Sequence, residues 1–233
     1  MAEHTHRRAL VFAGGDPPPR SVEPLLAKDA VVIGADSGVE VARDLRRTVD
    51  IAVGDFDSID PGVLAETEAA GTTILRHPRD KDATDLELAL DTAMMLGTDA
   101  VTVVGGHGGW VDHFVANCLL LSSDRYATLA IDAFMGTAHV VVVRRAARIV
   151  GRPGDLVTLL AVGGPAGGVR TSGLRFPLDD QTLHPGSTLG VSNEMVSEEA
   201  TITITAGSVL VIRPHALQPD DLPDTGTAPT GAG

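Results

Sequence analysis

Short apolar runs alternate with amphipathic segments over the first 136 residues of the chain. The apolar runs are typical of buried strands and lie at residues 9–14, 30–35, 51–54, 73–75 and 100–104. Between them, apolar residues recur at helical spacing, which predicts helices at residues 39–47, 61–70, 86–96 and 112–121. Nearly continuous apolar strands separated by helices indicate a parallel sheet that is covered on both faces. We therefore predict a Rossmann-like α/β domain over residues 9–136.

From about residue 137 the pattern changes to one of strands and turns. Residues 201–205 alternate strictly between Thr and Ile, as a half-buried antiparallel strand does. Turns rich in Gly and Pro separate further predicted strands at residues 140–143, 155–162, 188–191 and 208–212. We predict a small all-β sandwich domain over residues 137–213. Residues 214–233 are rich in Pro, Gly, Thr and Asp, which predicts a disordered tail.

Composition and charge narrow the classes of partner. A formal net charge of -13 disfavours nucleic acids and anionic membranes, since those partners attract surplus Lys and Arg. The single cysteine, Cys118, excludes an intrachain disulfide and a cysteine-rich zinc site, which fits a reducing cytoplasm. The polar residues 1–8 lack the apolar core of a signal peptide, and no apolar run approaches the roughly 20 residues that span a bilayer. We expect a soluble cytoplasmic protein that binds neither nucleic acid nor membrane.

Two acidic motifs directly follow predicted strands. Asp36 follows the second strand, and Asp55 and Asp57 follow the third. Ligands of open α/β sheets bind beyond the carboxyl ends of the strands, and carboxylates are good ligands for hard divalent cations. Asp55 and Asp57 stand two residues apart on extended backbone, so both carboxylates are able to face one Mg²⁺. The alternative is an Asp-rich turn in which each side chain caps a backbone N–H group.

A third acidic motif, residues 80–85, precedes the helix predicted at residues 86–96. Thr84 and Glu87 have the spacing of a capping box, and Asp85 suits the positive end of a helix, so capping alone would explain these residues. Capping does not explain the residues ahead of the helix, which are Asp80, Lys81 and Asp82. Lys81 is one of two lysines in the chain and lies in a loop from which it would reach a phosphate.

A glycine-rich turn lies between the fifth predicted strand and the next helix. Four glycines surround His107 in this turn: Gly105, Gly106, Gly108 and Gly109. A tight turn needs fewer glycines, and their bare N–H groups at the start of a helix suit a phosphate. The spacing is neither that of a Walker A loop nor Gly-x-Gly-x-x-Gly. Asp112 is a better functional candidate than His113, and the motifs together predict a magnesium–nucleotide site.

The order and spacing of these motifs resemble the thiamine pyrophosphokinase family over roughly residues 9–212. The matching segments in the first half are residues 35–38, 54–58, 80–89 and 105–113, and those in the second half are residues 173–178 and 190–194. The resemblance implies transfer of a pyrophosphoryl group from ATP to thiamine, with release of AMP and with Mg²⁺ as the cofactor. It also implies an ATP- and Mg²⁺-binding domain, a thiamine-binding domain, and a homodimer that holds thiamine between its subunits.

The resemblance also implies roles for individual residues. Metal positions fall at Asp36, Asp55, Asp57 and Asp85, and the last three are catalytic candidates together with Asp112. Nucleotide contacts are expected at Asp36, Lys81, Asp82, Thr84, Gly105, Gly106, Gly108 and Gly109. Thiamine contacts are expected at Ser172, Phe176, Ser192 and Asn193. Phe176 stands where an aromatic ring stacks on the pyrimidine, and the alternative interpretation is a core residue of the sandwich.

One departure from the family pattern keeps other functions open. Trp110 stands where the family usually has an arginine, and it cannot replace that charge. Candidates to supply the missing guanidinium from elsewhere in the chain are Arg76, Arg79 and Arg125. The alternatives are a pyrophosphokinase for another alcohol such as a pterin carbinol, a metal-dependent transferase or phosphoesterase for a sugar nucleotide or phosphate ester, and a non-catalytic nucleotide-binding regulator.

Overall fold

Six parallel strands form one side of the larger of two sheets. The structure is a computed structural model that describes residues 7–217. The six strands are β1 (Arg8–Ala13), β2 (Val31–Ala35), β3 (Ile51–Gly54), β4 (Thr73–Arg76), β5 (Ala100–Gly105) and β6 (Ala130–Met135). Their order in the sheet is β4-β3-β2-β1-β5-β6, and every neighbouring pair is parallel. The predicted parallel sheet is confirmed, and β6 is an additional strand that the sequence pattern did not predict.

Helices cover both faces of this sheet, as predicted. They are α1 (Gly38–Asp44), α2 (Pro61–Ala69), α3 (Asp85–Met95) and α4 (Val111–Leu121), with short 3-10 helices at Arg20–Leu25 and Asp124–Tyr126. One face is buried in a cluster that includes Val11, Val53 and Leu90 of α3. The opposite face is buried in a cluster that includes Phe12, with Val39 of α1 and Leu64 of α2. The period-2 alternation of side chains along β1 thus supplies both cores.

The strand order creates a switch point between β1 and β5. The chain moves outward through β2, β3 and β4, returns to the other side of β1, and continues through β5 and β6. Ala13 pairs with both Ala35 and Gly105, so β1, β2 and β5 end level with one another. Such a switch point is where α/β sheets bind ligands. The order differs from the 3-2-1-4-5-6 order of the dinucleotide-binding fold, so the Rossmann-like description is not confirmed beyond a parallel sheet with a switch point.

The second half of the chain contributes strands to both sheets. Its strands are β7 (Ala138–Val143), β8 (Ala146–Val150), β9 (Leu156–Ala161), β10 (Ala166–Ser172), β11 (Gln181–Leu183), β12 (Asn193–Glu194), β13 (Glu199–Thr203) and β14 (Val209–Arg213). Four of them extend the large sheet beyond β6 in the order β7-β14-β9-β12, and each is antiparallel to the strand before it. The others form a second, antiparallel sheet in the order β11-β10-β13-β8. The second sheet packs on β9 and β14 through a third apolar cluster.

Residues 136–137 connect the two halves in a tight hairpin. Met135 of β6 pairs with Ala138 of β7, and Gly136 between them has a φ of 58°. The large sheet therefore runs across the predicted domain boundary without a break. The second half consists of strands, as predicted, but the separate sandwich that we predicted does not form, because four of its eight strands join the first sheet.

One predicted strand is wrong, and part of the predicted tail is ordered. Residues 188–191 lie mostly in turns, because Gly190 has a φ of 97° and so interrupts extended backbone. Leu217 is buried and its N–H group donates to the Thr137 carbonyl, so residues 214–217 pack on the β6–β7 hairpin. Residues 218–233 of the predicted tail and residues 1–6 lie outside the described part. Between residues 7 and 217, no helix has the length and apolar character needed to cross a membrane.

Candidate active site

Asp36 provides a buried carboxylate directly after β2. It adopts a left-handed φ of 48°, and its N–H group donates to the Val53 carbonyl at 2.9 Å, which ties the turn to β3. The residue is only 6% exposed, and its Oδ1 atom has no hydrogen-bond partner in the described chain. Burial raises the pKa of Asp36, and the nearby charges of Asp85 and Asp55 add to this effect. A buried carboxylate oxygen without a partner is costly, so a cation bound at this position would stabilise the folded protein.

Asp55 and Asp57 follow β3 in a strained turn. Phe56 between them has a φ of 62°, and the Asp57 N–H group donates to Asp55 Oδ1 at 3.2 Å. The alternative interpretation of an Asp-rich turn therefore describes part of their contacts. One oxygen from each of Asp36, Asp55 and Asp57 lies within 4.8 Å of the others. Oxygens bound to one Mg²⁺ lie up to about 4.2 Å apart, so small side-chain movements suffice to bring all three to a single ion.

Asp85 joins this group from the start of α3. Its Oδ1 atom would lie 3.1 Å from a Cβ atom at Gly54, and Asp36 Cβ would lie 3.2 Å away, so the glycine lets the two carboxylates approach. Thr84 caps α3, because its hydroxyl accepts a hydrogen bond from the Glu87 N–H group at 3.2 Å. The capping interpretation is therefore correct for Thr84. We call the set of Asp36, Asp55, Asp57 and Asp85 the acidic cluster.

Lys81 lies between two members of the acidic cluster. Its Nζ atom is 2.7 Å from Asp55 Oδ2 and 3.1 Å from Asp85 Oδ1, and its side chain is 13% exposed. Burial opposes the charge of Lys81, but the hydrogen bond that its ammonium donates to Asp55 and its ion pair with Asp85 prevail and raise its pKa. The hydrogen bond from Lys81 in turn lowers the pKa of Asp55. The ammonium is thus firmly charged where it lies.

Two predicted site residues lie apart from these contacts. Asp82 is exposed, and among residues 7–217 it makes no hydrogen bond or ion pair. Asp112 is exposed on the first turn of α4, where its Oδ1 atom accepts a hydrogen bond from the His113 N–H group at 2.9 Å. Within the described chain, neither residue has a hydrogen bond or ion pair with the acidic cluster.

The glycine turn packs against the loop that follows β1. Gly105, Gly106, Gly108 and Gly109 all have positive φ, from 66° to 97°. The Gly106 N–H group donates to the Gly14 carbonyl at 3.0 Å, and the Asp16 N–H group donates to the His107 carbonyl at 2.8 Å. In the described chain the N–H groups of Gly108 and Gly109 have no acceptor, which leaves them available to a phosphate.

A cavity of about 450 Å³ lies beside the glycine turn. It is lined by apolar and polar side chains that include Asp16, His107, Phe114, Cys118, Met135 and Thr137. The His107 ring contacts Phe114 edge-on at a centroid distance of 5.7 Å. A cavity of about 280 Å³ lies at the opposite edge, at the amino ends of β1, β5 and β6, away from the acidic cluster.

The predicted thiamine contacts gather around Phe176. The Phe176 ring is 64% exposed, so the alternative interpretation of a core residue is wrong. Asn193 is buried, and its side chain binds both backbone groups of Phe176: Oδ1 accepts from the N–H group at 3.0 Å and Nδ2 donates to the carbonyl at 2.7 Å. The Arg175 guanidinium lies 5.9 Å from the ring centroid and 3.0 Å from a Glu194 carboxylate oxygen. Asn193 therefore fixes the backbone of Phe176, and the Arg175 guanidinium lies beside its exposed ring.

The two predicted serines have partners within the second half of the chain. The Ser172 hydroxyl lies 2.6 Å from the Thr201 hydroxyl. Ser192 adopts a φ of 53°, and its N–H group donates to Thr158 Oγ1 at 3.0 Å. Across residues 7–217, no hydrogen bond or ion pair joins Ser172, Ser192 or the Phe176 group to the acidic cluster.

Two family models match the chain in succession. The model of the thiamin pyrophosphokinase catalytic domain matches residues 22–131 and that of the thiamin pyrophosphokinase vitamin B1 binding domain matches residues 138–209. The chain belongs to the thiamine pyrophosphokinase family. The acidic cluster and the glycine turn lie in the part that matches the catalytic domain, and the Phe176 group lies in the part that matches the vitamin B1 binding domain.

The chain is similar in sequence and fold to a protein from Bacillus subtilis and in fold to one from Candida albicans. Thiamine pyrophosphokinase from Bacillus subtilis is 27% identical over 209 residues, which cover 87% of this chain and 96% of that protein. The crystal structure of thiamine pyrophosphokinase from Bacillus subtilis superposes with a TM-score of 0.77 at 25% identity, over 89% of this chain and 98% of that one. The fold of thiamin pyrophosphokinase from Candida albicans is also similar, with a TM-score of 0.74 at 15% identity over 88% and 89% of the two chains.

Sequence reasoning missed Asp16 and left the substitute for the family arginine open. Asp16 meets the glycine turn, and its signal was a Gly-Gly-Asp sequence after the first strand. Trp110 is 75% exposed, and Arg76 lies over the Phe56 ring at 5.2 Å from its centroid. Arg79 lies 3.0 Å from Asp57 Oδ2, whereas Arg125 pairs with Glu87 and Asp91 of α3. Of these arginines, Arg79 contacts the acidic cluster directly.

Proposed function

We propose that this chain transfers the pyrophosphoryl group of ATP to the hydroxyl group of thiamine, giving thiamine diphosphate and AMP. Membership of the thiamine pyrophosphokinase family supports the reaction class. One observation supports this site above all others. One oxygen from each of Asp36, Asp55 and Asp57 lies within 4.8 Å of the others, at the carboxyl ends of the adjacent strands β2 and β3. The single cysteine of the chain favours the cytoplasm as the location of this reaction.

The acidic cluster fits Mg²⁺ as the cofactor. Its donor atoms are all carboxylate oxygens, the ligands that hard cations prefer, and the buried Oδ1 atom of Asp36 has no partner in the described chain. Asp36, Asp55, Asp57 and Asp85 would hold the ion. When bound, Mg²⁺ neutralises negative charge on the transferred group and on the departing AMP.

The residues of the chain bind and orient the two substrates. The free N–H groups of Gly108 and Gly109 and the Lys81 ammonium bind phosphate oxygens of ATP. The hydroxyl oxygen of thiamine attacks the β-phosphorus of ATP. The bond from that phosphorus to the oxygen that bridges the α- and β-phosphates breaks, and AMP leaves with this oxygen. Asp112 orients the hydroxyl group and accepts its proton if general-base assistance is used, which a loose transition state does not require.

The acceptor site is completed by a second subunit in this proposal. The exposed Phe176 ring stacks on the pyrimidine of thiamine, but within one chain it has no polar contact with the acidic cluster. An exposed apolar stripe on and beside α4 supports a homodimer, and its members are Trp110, Val111, Val115 and Leu119. A homodimer allows the second half of one chain to face the acidic cluster of the other.

The formation of AMP from ATP and thiamine tests this proposal. We expect Asp55→Asn to lower the rate by about two orders of magnitude or more, because electrostatic stabilisation of phosphoryl transfer is lost. Asp44→Asn is the matched control, since Asp44 is exposed at the end of α1, away from the cluster, and should leave the rate unchanged. Equal AMP formation by wild type and Asp55→Asn would contradict the assignment of the site.

An altered acceptor is the second candidate function. Trp110, at the position where the family has arginine, is the observation that favours it. A panel of acceptor alcohols, including a pterin carbinol, separates the two candidates. Faster AMP formation with another alcohol than with thiamine would favour the altered acceptor.

A further inference from the structure

Lys81 already holds a positive charge at the acidic cluster. Its ammonium contacts Asp55 Oδ2 and Asp85 Oδ1, and its side chain is 13% exposed. Arg79, the other basic residue that contacts the cluster in the described chain, is 80% exposed and reaches only Asp57. The ammonium is thus the buried cation of the cluster among residues 7–217.

A divalent cation would compete with this ammonium for the same oxygens. Both oxygens of Asp55 are engaged, Oδ1 by the Asp57 N–H group and Oδ2 by Lys81. Asp36 is 6% exposed, its Oδ1 atom has no partner in the described chain, and one of its carboxylate oxygens lies within 4.8 Å of an oxygen of Asp55. Two cations a few ångströms apart repel each other, so the ion and the ammonium do not share Asp55 and Asp85 without cost.

We propose that Lys81 is an internal substitute for the metal ion. In the free protein its ammonium neutralises Asp55 and Asp85, which keeps the affinity for a divalent cation low. Binding of the cation displaces the ammonium, and the flexible four-carbon stem of Lys81 then lets it bind a phosphate of the nucleotide. Metal and nucleotide therefore bind cooperatively. This inference rests on the metal site of the proposed function.

Binding of Mn²⁺ to the full chain without nucleotide tests the inference. Isothermal calorimetry compares wild type with Lys81→Met, which keeps the length of the side chain and removes its charge. We expect Lys81→Met to bind Mn²⁺ about tenfold more tightly, because a like charge a few ångströms from the ion is gone. Lys28→Met is the matched control, since Lys28 is the other lysine of the chain and is exposed, and it should bind Mn²⁺ like wild type.

A second titration measures the coupling with nucleotide. An unreactive ATP analogue should tighten Mn²⁺ binding in wild type and should tighten it less in Lys81→Met, where no ammonium is released to the phosphate. If Lys81→Met folds poorly without metal, its melting temperature should rise more on addition of Mn²⁺ than that of wild type. Lys81→Arg keeps the positive charge and should bind Mn²⁺ like wild type.

The outcomes separate the inference from the proposed function. Equal or weaker Mn²⁺ binding by Lys81→Met, with binding abolished by Asp55→Asn, would overturn the role of Lys81 and leave the metal site in place. Absence of Mn²⁺ binding to every variant, with and without nucleotide, would overturn the metal site and the inference together.

Discussion

At the scale of single residues, Asp36, Asp55 and Asn193 have distinct effects on stability and function. Asp36 is a buried carboxylate with an unpaired oxygen, so its charge opposes folding in the absence of a cation. Asp55 is a carboxylate whose charge is stabilised by Lys81. Asn193 has both polar atoms of its side chain engaged by the Phe176 backbone, so it positions the ring. These differences lead to opposite predictions for chemically similar substitutions.

We expect Asp36→Asn to raise the melting temperature of the metal-free protein at pH 7. Burial raises the pKa of Asp36 in the folded state, so protonation favours folding and the penalty of its charge is present above the folded pKa. The difference from wild type should shrink as the pH falls towards the ordinary value of 3.8. Thermal melts in a chelator across this pH range measure it, and a lower melting temperature for Asp36→Asn at pH 7 would contradict the argument.

Asp55→Asn should have the opposite effect. Lys81 lowers the pKa of Asp55 in the folded state, so the stabilisation is present above the unfolded pKa and is lost as the pH falls through the folded pKa. The same melts at pH 7 should therefore show a lower melting temperature for Asp55→Asn than for wild type. Asp44→Asn, on the exposed end of α1, serves as the control for both variants.

Asn193→Ala and Phe176→Ala should separate positioning from contact. Loss of the Asn193 side chain leaves two backbone groups of Phe176 without their partners, which costs about 1–3 kcal/mol in the free energy of unfolding. Phe176→Ala removes an exposed ring and should change stability little. Both variants should raise the KM for thiamine and leave that for ATP unchanged. An unchanged KM for thiamine in Asn193→Ala would show that the position of the Phe176 ring does not depend on the hydrogen bonds with Asn193.

At the scale of elements, the site is formed by loops at the carboxyl ends of strands. Their positions could be predicted because β1, β2, β3 and β5 have clear apolar patterns and each ends at a glycine or is followed directly by a glycine or an aspartate. Three contacts could not be predicted. They are the contacts of Lys81 with Asp55 and Asp85, the hydrogen bonds of Asn193 with the Phe176 backbone, and the approach of Asp16 to the glycine turn. Each depends on distances between segments far apart in the chain, which periodicity does not encode.

The short strands of the second half show the same limit. The strict alternation at residues 201–205 predicted β13 correctly over most of its length. Asn193–Glu194 is a strand of two residues, and it exists because it pairs with β9 at Val157 and Leu156. The exposed Leu189 and Val191 made residues 188–191 look like a strand, although Gly190 turns the backbone there. Pairing with distant strands thus determines whether such short segments form strands.

Two glycines of the glycine turn should respond differently to substitution by alanine. At Gly109 an added Cβ meets nothing within 4 Å, so Gly109→Ala should cost only the left-handed strain of about 1–2 kcal/mol. At Gly105 the Cβ would lie 2.3 Å from the Ala13 carbonyl oxygen, so Gly105→Ala should cost clearly more. Urea denaturation measures both, and equal losses would contradict the close packing of β1 and β5 at this point.

At the scale of the whole molecule, one sheet runs through both halves of the chain. The β6–β7 hairpin joins six parallel strands to four antiparallel ones, and the second sheet packs on the antiparallel part. Helix α4 lies next to this junction, beside the cavity at the glycine turn, and leaves an apolar stripe exposed. The proposed homodimer would cover that stripe.

Val115→Glu should weaken the homodimer. Val115 is 47% exposed in the middle of the α4 stripe, and a buried glutamate there would be an unpaired charge in an apolar contact. Sedimentation velocity should show a shift to monomer, with loss of AMP formation because the proposed acceptor site needs the second subunit. Met95→Glu, at an exposed apolar residue at the end of α3, is the control and should sediment like wild type. A dimeric Val115→Glu would exclude the stripe as the contact.

In the proposed function, the acidic cluster holds a divalent cation next to the phosphates of ATP. The most direct measurement is anomalous diffraction from crystals grown with Mn²⁺ and an unreactive ATP analogue. We predict an anomalous peak from a manganese ion that is bound by oxygens of Asp36, Asp55 and Asp57 and by a phosphate oxygen. We also predict that the Lys81 ammonium has moved away from Asp55. A nucleotide-bound crystal in which the manganese lies elsewhere, with Lys81 still bridging Asp55 and Asp85, would contradict it.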